Sequence, residues 1–147
     1  MDIRIAAYGV IIRDGAILLS HWNEHGRSAW TLPGGGIELP EHPLDAARRE
    51  IREETGYHAE IERLLGIDTM VVPASKRHHG TAPLYAMRVV YRARVVGGEL
   101  RNEVGGSSDE ARWFPLDEVG ALTRVSLLDI ALRMNEREPA DGVPPKN

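Results

Sequence analysis

The 147-residue chain has no cysteine, so disulfide bonds and thiolate metal sites are excluded. No apolar run is long enough to span a bilayer, and no charged segment followed by an apolar one opens the sequence, so no membrane partner and a cytoplasmic location are the default expectations. The net charge of −4 gives no electrostatic footprint for nucleic-acid binding. The length fits one domain.

A helix is predicted from Pro43 to Thr55. Proline suits the first turn because its missing N–H would be unpaired there, and Gly56 suits the left-handed position that ends a helix. Leu44, Ala47 and Ile51 recur at helical spacing and are expected to face a core. The glycine-rich loop Gly34–Gly36 lies upstream, where backbone without Cβ atoms can approach a ligand closely.

The opposite face of this helix carries three glutamates, Glu50, Glu53 and Glu54, at positions i, i+3 and i+4. Like charges at this spacing repel by about 0.2–0.5 kcal/mol per pair, and the macrodipole disfavours anions in this half of the helix. One interpretation is a solvated face screened by neighbouring arginines. The interpretation we favour is a site for a hard divalent cation, Mg²⁺, which proteins usually share with substrate phosphates.

The spacing resembles the Nudix box, Gly-x5-Glu-x7-Arg-Glu-U-x-Glu-Glu-x-Gly-U, where U is bulky and aliphatic. The motif positions fall on Gly35, Glu41, Arg49, Glu50, Ile51, Glu53, Glu54, Gly56 and Tyr57. Only Tyr57 departs from the pattern, and this change is expected to alter packing more than chemistry. The segments Trp30–Glu38 and Arg112–Leu116 resemble flanking parts of the family, so the similarity runs from about Ile3 to Leu132.

The resemblance implies an α/β/α Nudix sandwich, a mixed sheet covered by helices, over residues 1–138. Pattern alone predicts only an α+β fold. Residues 139–147 are polar and proline-rich, and are predicted to form a disordered tail. The resemblance also implies metal-dependent hydrolysis of a nucleoside diphosphate linked to another group, with a small-molecule nucleotide as partner. A homodimer is common in similar proteins, and a non-catalytic nucleotide-binding module is the alternative.

The resemblance assigns roles to the box residues. Glu50, Glu53 and Glu54 would bind Mg²⁺, or alternatively Mn²⁺, with a backbone carbonyl of the glycine loop, which we place at Gly34. Gly35 and Gly36 would contact substrate. Arg49 would hold the carboxylates, since its planar guanidinium can bind a carboxylate through two hydrogen bonds. Glu41 would fix the junction of loop and helix, or would only supply a charge at the helix N-terminus.

The proton acceptor has several candidates. Some family members use a box glutamate, here Glu53, and others use an acid from the loop before the last strand. Glu103, Asp109 and Glu110 fit the second description, and Glu110 is the preferred catalytic candidate because it precedes the strand containing Trp113. A solvated loop carboxylate is the alternative for each of them.

Substrate contacts are expected outside the box as well. Pro73 follows Tyr57 by sixteen positions, a spacing that accompanies ADP-ribose hydrolysis in the family, although a lone proline often marks only a turn. The favoured substrate is therefore ADP-ribose or another nucleotide sugar. The alternative is a nucleoside triphosphate hydrolysed in the MutT manner. Trp22 would stack on the nucleobase or pack in the core. His21, His25 and the basic loop 73–80 would contact phosphate or be solvated.

Alternation and turn residues predict the remaining elements. The predicted strands are Ile3–Ile12, Ala16–Trp22, Tyr57–Leu65, Asp68–Val72, Leu84–Val95 and Ala111–Phe114. Residues 21–28 and 99–109 are predicted to be loops, Gly66 to interrupt a strand, and Gly97–Gly98 to form a turn. A short helix is predicted at Leu116–Ala121 and an amphipathic helix at Val125–Glu136.

Overall fold

The structure is a computed structural model that describes residues 1–146. In chain order the strands are β1 (Asp2–Val10), β2 (Ile12–Arg13), β3 (Ala16–Glu24), β4 (Arg27–Thr31), β5 (Gly34–Gly36), β6 (Tyr57–Val72), β7 (Leu84–Gly98) and β8 (Ser108–Pro115). The α-helices are α1 (Pro43–Thr55) and α2 (Ser126–Arg137), and short 3₁₀ helices span Ala74–Lys76 and Leu116–Ala121. Over residues 1–146, no helix has the length and apolar character needed to cross a membrane.

The strands form two four-stranded sheets. The first has the order β5-β1-β7-β6 and is mixed, because β1 runs parallel to β7 while the other neighbours are antiparallel. The second is antiparallel and centres on β3, with β2 and β4 along one edge and β8 along the other. Parallel neighbours need a long crossover, and here the crossover from β1 to β7 contains α1.

The two helices cover different faces of the sheets. On β3, Leu18 packs in a cluster with Ile51 of α1, whereas Ile17 and Leu19 pack in a cluster with Leu128 of α2. This division follows from the alternation of side chains along a strand. The predicted α+β architecture, a mixed sheet covered by helices, is thus confirmed.

The strands are longer than predicted. Residues 21–28 were predicted to be a loop, but they form the β3–β4 hairpin, whose turn residues His25 and Gly26 both have positive φ angles. Gly66 does not interrupt β6, because a register shift between Leu64 and Gly66 absorbs the irregularity within the strand.

The end of β7 and the start of β8 also differ from the prediction, because each pairs with a segment that is distant in the sequence. Gly97–Gly98 belongs to β7 rather than to a turn, since Gly98 pairs with Tyr57 of β6. Strand β8 begins at Ser108, so Asp109 and Glu110 lie on a strand opposite β3 rather than in a loop.

The disorder expected for residues 139–147 stays a prediction, and Asn147 lies outside the described residues. The part that the structure describes contacts the domain. The carbonyl oxygen of Gly142 accepts a hydrogen bond of 2.8 Å from the backbone N–H of Ile67.

Candidate active site

Helix α1 presents the three glutamates, and both of its ends form as the sequence predicts. Pro43 occupies the first turn, and the His42 ring nitrogen Nδ1 accepts a hydrogen bond of 3.0 Å from the Leu44 N–H. Gly56 adopts φ 82° and donates its N–H to the Arg52 carbonyl. The helix packs against β1 and β5, so its acidic face lies against the glycine strand, which is β5 (Gly34–Gly36).

Arg49 joins the helix to the preceding loop. Its Nε and Nη2 donate to the two carboxylate oxygens of Glu41, each at 2.9 Å, and Nη2 also donates to the Gly36 carbonyl at 3.2 Å. Its Nη1 donates to Glu50 at 3.1 Å and to Glu53 at 3.3 Å. The hydrogen bonds from Arg49 lower the pKa of Glu41 to about 2. One guanidinium therefore fixes the positions of three carboxylates and one backbone carbonyl.

Glu54 is the most buried acid of the site, with 7% of its surface exposed. Its Oε2 accepts a hydrogen bond of 2.7 Å from the Gly34 N–H. Burial raises the pKa of Glu54 well above its ordinary value, against this hydrogen bond, and the negative charges of Glu50 and Glu103 raise it further. A buried carboxylate in this setting is stabilised by a cation.

Glu50 is half-buried and lies directly against Gly35. A Cβ atom at Gly35 would come within 2.8 Å of the Glu50 carboxylate, so any other residue there would displace that group from its present position. Burial raises the pKa of Glu50, while Arg49 opposes the rise. From the sequence, these glycines are expected to let the backbone approach a ligand. In the structure Gly35 also leaves space for the Glu50 carboxylate.

A fourth acid, Glu103, reaches the same place from the loop between β7 and β8. Burial raises the pKa of Glu103, the backbone of Ser108 opposes the rise, and the charge of Glu53 adds to it. The fit of this loop is close, because a Cβ atom at Gly106 would lie 2.1 Å from Glu103 Oε1.

A cleft of about 660 Å³ between the two sheets is lined by four of the acids, Glu50, Glu53, Glu54 and Glu103. The cleft wall also includes Gly34, Gly35, Gly36 and Trp22. The substrate contacts expected of Gly35, Gly36 and Trp22 stay predictions. Sequence reasoning missed Arg4, Tyr8, Arg88 and the hydrogen-bonded pair Ser20–Ser108. An available signal was the presence of arginine inside strands that are otherwise rich in apolar residues, Arg4 in β1 and Arg88 in β7.

Glu110 and Asp109 are not brought into the cleft. Glu110 is paired with Arg112 of the same strand, with the Nε hydrogen bond at 2.8 Å. Asp109 accepts hydrogen bonds from His21 at 2.7 Å and from Asn23 at 2.9 Å, which lower its pKa. Of the three loop acids predicted as proton acceptors, only Glu103 lines the cleft, and the assignment to Glu110 stays a prediction.

A family model described as the NUDIX domain matches residues 3–132 of the chain. The chain belongs to the Nudix family. The Nudix box therefore lies on β5, α1 and the start of β6.

The names of related proteins refer to more than one activity. The chain is 33% identical over 132 residues to "Putative mutator protein MutT4" of Mycobacterium tuberculosis, covering 86% of this chain and 50% of the relative. It is 32% identical over 119 residues to "ADP-ribose pyrophosphatase" of Methanocaldococcus jannaschii, covering 80% of this chain and 65% of the relative. The chain thus spans about half to two thirds of the length of these curated relatives.

Solved structures share the fold. A Nudix hydrolase from Nitrosomonas europaea matches with a TM-score of 0.78 at 22% identity, covering 97% of this chain and 93% of the other. A MutT Nudix hydrolase from Burkholderia pseudomallei matches with a TM-score of 0.73 at 28% identity, covering 91% and 98%.

The departure from the Nudix box at Tyr57 is accommodated within the core. Tyr57 is 8% exposed and clusters with Leu18 and Ile51, and its hydroxyl oxygen accepts a hydrogen bond of 3.1 Å from Trp113 Nε1. Tyr57 lies outside the lining of the cleft. These contacts agree with the expectation that the change affects packing.

The chemistry of the donor set fits a hard divalent cation. Nudix proteins generally use divalent metal ions, and this cleft gathers carboxylates whose pKa values are raised by burial and by one another. Within residues 1–146, no three histidine, aspartate or glutamate side chains are close enough to share one ion in this structure. The ligand roles of Glu50, Glu53 and Glu54 and of the Gly34 carbonyl therefore stay predictions.

Proposed function

We propose that this Nudix domain hydrolyses a pyrophosphate bond in a nucleoside diphosphate linked to another group, with ADP-ribose or another nucleotide sugar as substrate. The observation that carries the proposal is the Arg49 network at the cleft. Arg49 holds Glu41, Glu50 and Glu53 together, while Glu54 is held by the neighbouring glycine strand. An acidic cleft of this kind repels a pyrophosphate unless a cation intervenes.

Mg²⁺ is the proposed cofactor, with Mn²⁺ as the alternative, and Glu50, Glu53, Glu54 and the Gly34 carbonyl would hold it. When bound, such a cation polarises phosphoryl oxygens and offsets the charge that develops there. Arg49 would keep the carboxylates at fixed positions, and Gly35 and Gly36 would let the backbone approach the phosphates. Trp22, at the rim of the cleft, would stack on the nucleobase.

Proton transfer from the attacking water needs a carboxylate that faces the cleft. Glu103 meets this condition, and its raised pKa brings it closer to the range in which a general base works well. Glu53, which is half-exposed and bonded to Arg49, is the alternative within the Nudix box.

Two observations support a nucleotide sugar. The relative from Methanocaldococcus jannaschii is named "ADP-ribose pyrophosphatase", and another, from Bacillus subtilis, is named "Putative ADP-ribose pyrophosphatase YjhB" at 30% identity. Pro73 stands at the position predicted for such enzymes. In the structure its carbonyl accepts a hydrogen bond from the Lys76 N–H, so Pro73 caps the short 3₁₀ helix Ala74–Lys76.

A second candidate is hydrolysis of nucleoside triphosphates in the MutT manner. It is favoured by the mycobacterial relative named for a mutator protein. The two candidates differ in the leaving group, since a nucleotide sugar gives a nucleoside monophosphate and a sugar phosphate, whereas a triphosphate gives pyrophosphate.

The deciding experiment is an assay of ADP-ribose, other nucleotide sugars and the common nucleoside triphosphates, with Mg²⁺ or Mn²⁺ and products identified by mass. Water labelled with ¹⁸O shows which phosphorus is attacked. We expect the highest kcat/KM for ADP-ribose or another nucleotide sugar. A higher value for triphosphates with release of pyrophosphate would replace the proposal with the MutT-like candidate.

Glu53→Gln is the inactive control in this assay, and Glu62→Gln, which changes an exposed acid on β6, is the matched control. Tight nucleotide binding without turnover of any substrate would instead identify a non-catalytic binding module. The predicted homodimer is tested by light scattering of the same sample, and the cytoplasmic location by cell fractionation.

A further inference from the structure

A second depression, of about 270 Å³, adjoins the catalytic cleft. Trp22 and Glu24 of β3 line both the cleft and the depression, so the two are separated by one wall. The far side of the depression is formed by the segment after β6, which contributes Lys76, His78 and His79.

Histidine is concentrated here. Three of the six histidines of the chain meet in this depression, together with one of its two lysines. The His25 ring stacks on His78 with ring centres 4.5 Å apart and an angle of 18°, and it meets His79 edge-on at 5.2 Å. Because the protein as a whole carries a net charge of −4, this local concentration of basic side chains is not a property of its surface in general.

The two carboxylates beside the depression already have partners. Glu24 is shared between Trp22, whose Nε1 donates to it at 3.0 Å, and His25, whose Nε2 lies 3.2 Å from it. Arg77 is neutralised by Asp2, to which it donates at 2.6 Å.

Lys76, His78 and His79 have no carboxylate partner among residues 1–146. The histidine cluster also does not form a metal site among those residues. The ammonium group of Lys76 and the ring N–H groups of His78 and His79 are therefore donors without a carboxylate partner among the described residues at this depression. Together they form a candidate anion site.

We propose that this depression is a phosphate-binding subsite that holds a phosphate monoester carried by the substrate on the far side of Trp22. Resting on the proposed function, this narrows the substrate class to nucleotides with a further phosphate on the nucleoside that stacks on Trp22. Lys76 would donate through its ammonium group, and an imidazole that takes up a proton gains a second N–H donor and a positive charge. Affinity for phosphate is therefore expected to be higher at pH 6.0 than at pH 8.0.

The binding test needs no turnover. Inorganic phosphate is titrated into the protein in the presence of a chelator, and the histidine ring signals are followed by NMR at pH 6.0 and 8.0. We expect saturable shifts of three ring signals at pH 6.0 and binding about tenfold weaker at pH 8.0. Non-saturating shifts, or shifts spread equally over all six histidines, would overturn the subsite.

Substitutions locate the binding. Lys76→Gln and His78→Gln should each weaken phosphate binding about tenfold. The matched controls are Lys146→Gln, the other lysine, and His58→Gln, an exposed histidine on β6, and these should bind as the parent does. Equal binding by Lys76→Gln and Lys146→Gln would contradict the proposal.

Kinetics then test the link to the substrate. ADP-ribose and its 2′-phosphate are compared at pH 6.0 and 8.0. We expect the extra phosphate to lower KM about tenfold at pH 6.0 with kcat little changed, and His78→Gln to remove this advantage. An unchanged KM ratio would overturn the subsite's role in substrate binding. If neither compound were hydrolysed, ADP-ribose would be excluded as the substrate while the phosphate titration would still decide the subsite.

Discussion

Arg49 and Glu41 are joined by two parallel hydrogen bonds of 2.9 Å each, from Nε and Nη2 to the two carboxylate oxygens. This pairing leaves Nη1 of Arg49 directed at Glu50 and Glu53. The loop before α1 therefore sets the orientation of the arginine, and the arginine in turn sets the orientation of the acids.

Arg49→Lys should lower kcat/KM at least about tenfold, because an ammonium group cannot form this planar double contact. Arg48→Lys, which changes an exposed neighbour on the same helix, should leave kcat/KM within about twofold. Steady-state kinetics of both variants test the prediction. Equal activity in the two variants would show that charge alone suffices at position 49.

The Glu41 pairing predicts a pH dependence of stability. The pKa of Glu41 is about 2 in the folded protein, against an ordinary value of 4.5. The stabilisation is therefore fully present above pH 4.5 and is lost as the pH falls towards 2. Urea unfolding of the parent and Glu41→Gln over this range should give free energies that converge at low pH. Parallel curves would contradict the pairing.

Glu54→Gln should lower kcat by at least about 10²-fold while making the metal-free fold more stable at pH 7. The amide keeps an oxygen that can accept from the Gly34 N–H, but it removes a buried charge. Because burial raises the pKa of Glu54, the parent loses stability as the pH rises from its ordinary value of 4.5 towards the raised one. Thermal unfolding with a chelator, at pH 4.5 and 7, should show the variant's advantage only at the higher pH.

Single amide substitutions distinguish the candidate bases. Glu103→Gln should lower kcat at least about 10²-fold and remove the acidic limb of the pH profile, because Glu103 lines the cleft. Asp109→Asn and Glu110→Gln test the acids that lie outside it. A comparable loss in Glu110→Gln would show that this strand moves when substrate binds. If all three variants stayed within a few-fold of the parent, the role would pass to Glu53.

Gly106→Ala should lower kcat up to about 10²-fold with little change in stability. The added Cβ would lie 2.1 Å from Glu103 Oε1, and a flexible side chain can move away at small cost. Gly120→Ala is the control, since its Cβ meets nothing within 4 Å. Kinetics and thermal unfolding of both variants give the comparison. A large loss of stability in Gly106→Ala would mean that the backbone, and not Glu103, has shifted.

Local signals in the sequence were sufficient for the catalytic helix. Pro43 and Gly56 define its ends, and the predicted bounds Pro43–Thr55 are confirmed. The spacing of Glu50, Glu53 and Glu54 likewise places them on one face, since helical geometry alone decides it.

Long-range pairing explains what the sequence could not predict. Asn23 and Glu24 are polar and lack a strand pattern, yet they extend β3 because β4 pairs with them, while β8 pairs with the preceding His21 and Trp22. The same pairing moves Asp109 and Glu110 onto a strand and away from the cleft. The meeting of His25 with His78 is also tertiary, because it depends on how two separate turns are placed beside each other.

The parallel pairing of β1 with β7 has a consequence for how the chain is made. Asp2 pairs with Leu84, and Ala16 pairs with Pro115 in the other sheet, so neither sheet can close until most of the chain has left the ribosome. During synthesis one edge of β1 and one edge of β3 therefore stay unpaired until β7 and β8 have emerged.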